Sequence, residues 1–112
     1  MKIYHNPRCR KSRETLAIIQ EAGKEVEVVE YLNDVPTEKE LDEILTILGV
    51  EPLEVIRKGE ADFKENFKGK DLSRSEWLKA MTQYPKLIER PIVVDGKKAV
   101  VGRPPENVNA LL

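Results

Sequence analysis

Strand, helix and strand follow one another within residues 2–32, and that order leaves the chain few ways to fold. Lys2 to His5 reads as a short strand that Asn6-Pro7 stops. From Cys9 or Arg10 to Ala22 the pattern is helical, with Leu16, Ile19 and Ala22 three apart and Gly23 as the C-terminal stop. Val26 to Leu32 is rich in β-branched residues and reads as a second strand, closed by the turn Asn33-Asp34-Val35-Pro36. Two strands joined through a crossover helix must run parallel.

Thr37 with Glu40 matches a capping box, after which Leu41, Ile44, Leu45 and Leu48 mark one helical face and Gly49 closes it. Short helical pieces are expected near Pro52 to Arg57, near Ala61 to Phe67, and from Ser73 through Trp77, Leu78 and Met81. Ser73 with Glu76 is a second capping box, and Tyr84-Pro85 ends that piece. Ile92-Val93-Val94 and Ala99-Val100-Val101 flank Asp95-Gly96, a strong hairpin signal whose register Lys97 and Lys98 leave open. A last helix is expected after Pro104-Pro105, to Leu112. The whole is an α/β chain with a mixed four-stranded sheet: β-α-β, a helical insertion, a β-hairpin and α. No repeat or linker interrupts it, so one domain is expected over 1–112.

The composition, 40% hydrophobic and 35% charged, is that of a globular protein. Lys and Arg number 19 against 20 Asp and Glu, a net charge of -1, so no global positive field engages nucleic acid. The longest apolar run is Leu16 to Ile19, too short for a membrane span, and Met1 to His5 enters a strand pattern with no apolar signal region behind it. A lone cysteine forms no internal disulfide, and the cytoplasm is the expected compartment.

That cysteine, Cys9, is the chemical centre of the sequence. Arg8, Arg10, Lys11 and Arg13 surround it. Cations favour the thiolate, which is the nucleophile, and they gather anions around it. Cys9 also falls where the first strand meets the first helix, and the unpaired N–H groups of a helix N-terminus stabilise an anion. Ser12 completes a C-x-x-S spacing, either as a donor to the thiolate or as an ordinary first-turn serine. His5 can tune Cys9 or shuttle a proton, or simply end the strand with a backbone hydrogen bond. One His and one Cys offer too few soft ligands for a metal. Arg57, Arg90 and Arg103 read singly as solvated charges. Their guanidinium forks suit a tetrahedral oxyanion if they converge, which spacing does not show.

Ile3-Tyr4-His5-Asn6-Pro7-x-Cys9-x-x-Ser12-Arg13-x-Thr15-Leu16 resembles the signature of the glutaredoxin-coupled arsenate reductases, the ArsC family. The resemblance continues through Tyr31-Leu32, Ile56-Arg57-Lys58, Leu87-Ile88-x-Arg90-Pro91-Ile92-Val93-Val94 and Gly102-Arg103-Pro104. It implies a thioredoxin-like fold with a helical insertion and a cis bond before Pro91. It implies that Cys9 attacks arsenate, that Arg57, Arg90 and Arg103 hold the oxyanion, and that His5 and Ser12 lie near the thiolate. It also implies glutathione as co-substrate, glutaredoxin as partner and no bound cofactor. Arg10 and Lys11 depart from the small or hydroxylic residues often found there, giving a more basic entrance, which points to stronger anion capture, to slower product release or to a different docking partner.

Two rival readings use the same fold. Regulators that bind RNA polymerase, typified by Spx, often carry C-x-x-C, which Ser12 breaks here, and the arginine trio argues against them. A glutathione-dependent thiol-disulfide oxidoreductase would need Cys9 but not all three arginines.

Overall fold

The computed structural model describes all residues, 1–112. They divide into two units, Met1–Asp34 with Arg90–Leu112, and Val35–Glu89. In the first, β1 (Lys2–His5), β2 (Glu27–Glu30), β3 (Ile92–Asp95) and β4 (Lys98–Val101) form one sheet in the order β2-β1-β3-β4. β1 runs parallel to β2, with His5 opposite Glu30. It runs antiparallel to β3, which pairs antiparallel with β4. The expected mixed sheet is therefore present, and the crossover through α1 (Arg10–Glu21) is what makes the first pair parallel. Because β1 is central, its Ile3, Tyr4 and His5 are buried, whereas edge strand β2 is mostly exposed.

Ile3, Ile19, Val93 and Val108 form the core of this unit, each fully buried, with Leu16, Val26, Val100 and Leu111 packed against them. Four residues from a strand, a helix, a second strand and the C-terminal segment thus share one apolar cluster. Burying each is worth about 1.5–3 kcal/mol.

Several details differ from the sequence expectation, each for a local reason. In α1 the fully buried residues are Ser12, Thr15 and Ile19, while Leu16 packs half-buried against the core and Ala22 is exposed. The N-terminal half of α1 faces the thiol loop and Gly102, where small hydroxyl side chains fit. β2 ends at Glu30, and Tyr31 already belongs to the turn. Asp95 pairs with Lys98, so Gly96 and Lys97 form the hairpin loop, with Gly96 at φ 61 where a side chain would be strained. The C-terminal element, Pro105–Leu111, is a 3-10 helix, not an α-helix. Asn107 explains part of this: its Nδ2 donates to the carbonyls of Val101 and Arg103, drawing the first turn toward β4.

The second unit holds α2 (Glu38–Leu48), α3 (Ala61–Asn66) and α4 (Arg74–Gln83), with 3-10 turns at Pro52–Val55 and Pro85–Leu87. Both capping boxes form: Thr37 and Ser73 accept from the Glu40 and Glu76 N–H groups, and each glutamate reaches back. Gly49 ends α2 in the left-handed conformation, φ 72. Leu41, Ile44 and Leu45 are buried as expected, and Leu48 only partly so. Arg74 ties α4 to the α2 region through Asp42 at 2.8 Å and Glu51 at 3.4 Å. Trp77 packs against Phe63 and Phe67. No helix is long and apolar enough to cross a membrane.

Candidate active site

The first unit builds a site around Cys9 from four chain segments. The loop leaving β1 is held by its own backbone: the Cys9 N–H donates to the Asn6 carbonyl at 3.0 Å, and the Arg8 N–H donates to Asn6 Oδ1 at 3.0 Å. This places Cys9 at the N-cap of α1, with extended backbone at φ -93 and ψ 121. The thiol is half-buried and unbridged.

Burial pushes the Cys9 thiol up, but the Ser12 backbone N–H, then Arg90, then Arg103 outweigh it and bring the pKa below the ordinary thiol value. Arg103 Nη1 lies 3.8 Å from Cys9 Sγ and donates to the Arg90 carbonyl at 3.0 Å. One guanidinium therefore links the thiol to the segment before β3. Both Arg90-Pro91 and Arg103-Pro104 are cis, the second unforeseen in the sequence.

The flanking cations behave differently from the sequence expectation. Arg8, Arg10, Lys11 and Arg13 are all exposed. Arg10 pairs with Glu14 at 2.7 Å, and Arg13 donates to the Pro7 carbonyl at 2.9 Å. Charges in open water are strongly screened, whereas the half-buried Arg90 and Arg103 are not. The cations that favour the thiolate thus come from far along the chain.

His5 and Ser12 bond to each other across the loop that carries Cys9. His5 Nδ1 is 2.6 Å from Ser12 Oγ, and the Asn6 N–H donates to that same oxygen at 3.1 Å. Both side chains are buried, and burial holds the imidazole below its ordinary pKa, against the raising influence of Glu30 and with a further lowering by Arg13. Burial thus favours the neutral ring. Its tautomer decides whether the Ser12 hydroxyl donates to His5 or turns its proton elsewhere. Ser12 also acts on Cys9 through its backbone N–H, which favours the charged form of the thiol.

Arg57 belongs to the second unit. The bridge between Ile56 and Ile88 holds its backbone, with the Arg57 N–H donating to the Leu87 carbonyl at 2.7 Å. Its Nε stands 3.9 Å from Glu60, and its Nη1 is buried with no hydrogen-bond partner.

Three features carried no assigned role in the sequence reading. Asn6 shapes the loop. Tyr31 is fully buried beside it. Thr15 and Gly102 let α1 and the Arg103 segment approach: Thr15 Oγ1 lies 3.4 Å from the Gly102 carbonyl, and the Gly102 N–H donates to the Pro91 carbonyl at 2.9 Å. A Cβ on Gly102 would stand 2.5 Å from Thr15 Oγ1 and 2.8 Å from Pro91 Cγ. Gly102→Ala is therefore expected to lower stability by about 1–3 kcal/mol, as overpacking does. It should also lower Cys9 reactivity by displacing Arg103. Thermal unfolding and iodoacetamide alkylation check both, and an unchanged protein by both measures would contradict the packing argument.

No cluster of three or more His, Cys, Asp or Glu side chains could hold a metal ion. The site is instead one thiol, biased toward thiolate, at a helix N-terminus, with arginines beside it and no second sulfur, set on a mixed sheet of the thioredoxin-like class. The chain belongs to the ArsC family, whose pattern matches residues 4–111. It is 42% identical over 112 residues to the arsenate reductase of Haemophilus influenzae, covering 98% of this chain and 97% of that one. It is 49% identical over 110 residues to the uncharacterised protein YfgD of Escherichia coli K12, covering 96% and 92%. The solved structure of an arsenate reductase from Vibrio cholerae superposes with a TM-score of 0.94 at 44% identity, covering 100% and 98%.

Proposed function

We propose that this chain is an arsenate reductase, one catalytic domain over residues 1–112, with Cys9 as nucleophile and glutathione and glutaredoxin as reductants. The single observation that carries the reading is the Arg103 guanidinium 3.8 Å from a thiol already biased toward thiolate. Relatives named arsenate reductase, similar over nearly the full chain, supply the substrate.

The Cys9 thiolate attacks arsenic. An As–S bond forms, an As–O bond breaks, and the departing arsenate hydroxyl takes one proton from solvent, replacing the one the thiol gave up on ionising, and leaves as water. Arg90 and Arg103 hold the oxygens of the adduct, donating where negative charge accumulates. Arg57 is the third arginine of the reading, assigned from its place in the Ile56-Arg57-Lys58 block of the family resemblance. Ser12 and His5 support the thiolate.

With no second cysteine in the chain, the next sulfur comes from solution. The glutathione sulfur attacks Cys9 Sγ, an S–S bond forms, and the As–S pair of electrons stays on arsenic, reducing As(V) to As(III). The glutathione proton passes to an arsenite oxygen. Glutaredoxin then reduces the mixed disulfide. A cytoplasmic setting fits, since glutathione is kept reduced there.

The test is arsenite production with glutathione and glutaredoxin omitted in turn. With glutaredoxin absent, mass spectrometry should find one glutathione on Cys9. Sustained arsenite formation with thioredoxin alone, and no small thiol, would overturn the coupling.

A further inference from the structure

Tyr31 is fully buried, yet its hydroxyl has no hydrogen-bond partner. Buried phenols ordinarily find one, and leaving it unmet destabilises a fold. Phenylalanine would fill the same space without that penalty, so packing alone does not explain the hydroxyl.

Its location is set by the sheet. His5 pairs with Glu30 in the parallel register, and the next residues on the two strands are Asn6 and Tyr31. Tyr31 therefore stands at the end of β1 and β2 from which the thiol loop departs. Tyr4 pairs with Ile92 in the antiparallel register, so Arg90, two residues before Ile92, comes to this same end of the sheet, where its charge and that of Cys9 bear on the phenol. Asn6, whose Oδ1 accepts from the Arg8 N–H, lies beside the phenol at the start of the thiol loop.

We propose that Tyr31 is a positioning residue for Arg90. Its phenol oxygen accepts an N–H of the guanidinium when negative charge stands at the site, whether the Cys9 thiolate itself or a bound oxyanion, and this fixes the plane of the fork. A planar fork delivers two parallel hydrogen bonds only when its plane is held. A long side chain otherwise spends binding energy on being ordered. Asn6 backs the phenol from the loop, so the same residue shapes the thiol turn and supports the anchor of its anion clamp.

For its substrate the inference rests on the arsenate reading; for the thiol it does not. Tyr31→Phe removes one oxygen and keeps the ring. The variant should lose roughly tenfold to a hundredfold in kcat/KM for arsenate, the size of one hydrogen bond to a charged group. The inflection in its iodoacetamide alkylation profile should move to higher pH, because a looser Arg90 favours the thiolate less. Its Tm should be unchanged or higher, since an unmet polar group has gone. In an Arg90→Ala background the same substitution should shift the profile no further, since the two residues act as one unit.

Unchanged kcat/KM in a protein that does reduce arsenate would overturn the proposal. So would an equal shift of the profile with and without Arg90, or a lowered Tm with an unshifted profile. If the parent protein does not reduce arsenate, the arsenate reading fails, and the alkylation arm still decides the role of Tyr31.

Discussion

Cys9→Ser abolishes arsenate reduction, by roughly a thousandfold or more, while the protein stays folded and is as stable as before or slightly more so. The two halves of this result have separate causes. The sulfur is the only thiol in the chain, so no other side chain can form the As–S bond or the mixed disulfide. Position 9 is also the N-cap of α1, where the cysteine makes no capping hydrogen bond. Serine is among the preferred N-cap residues and can accept from an N–H of the first turn. Stability and activity should therefore part company. The parent thiol adds a check that needs no arsenate. Its folded-state pKa is lowered, so alkylation should plateau as pH rises through a value below the ordinary thiol range and decline only beneath it. An ordinary thiol profile, or arsenate turnover by the serine variant, would contradict this account.

Arg103→Lys should lose on the order of a hundredfold in kcat/KM, the usual penalty for removing one donor from a charge-stabilising site. Arg103 does two things with one planar group: Nη1 faces Cys9 Sγ at 3.8 Å and donates to the Arg90 carbonyl at 3.0 Å. A lysine ammonium carries the charge on a flexible stem and does not present the fork, so it should rescue poorly. The alkylation inflection should move up in Arg103→Ala and return only partly in Arg103→Lys. Full activity in the lysine variant would show that charge alone suffices and that the fork is dispensable.

Much of the frame was legible in residue order, because local rules decide it. The strand stopped by Asn6-Pro7, the helix closed by Gly23 and the β-branched run after it dictate a parallel pair through a crossover. Thr37 with Glu40 and Ser73 with Glu76 mark helix starts that their own side chains complete. The register of the hairpin was not legible. Asp95-Gly96 looked like the turn, but pairing across the strands set Asp95 opposite Lys98 and moved the loop one residue on. The C-terminal helix tightened to 3-10 where Asn107 bonds back to β4 and its connection, a contact that helical periodicity does not report.

The sequence by itself determined that one cysteine would stand at the head of a helix, with no second sulfur to resolve it, because the end of a strand and the start of a helix are local events. Only the tertiary structure decided which charges that cysteine feels. The four cations beside it in sequence lie in water, where their fields are screened. Arg90 and Arg103, 81 and 94 residues away along the chain, come to it because the sheet sets β3 beside β1 and because Gly102 leaves room for Thr15. Tyr31 reaches the same corner through a parallel register that neither strand specifies alone. Proximity in space at half-buried positions, where solvent screens least, is a property of the folded chain and not of residue spacing.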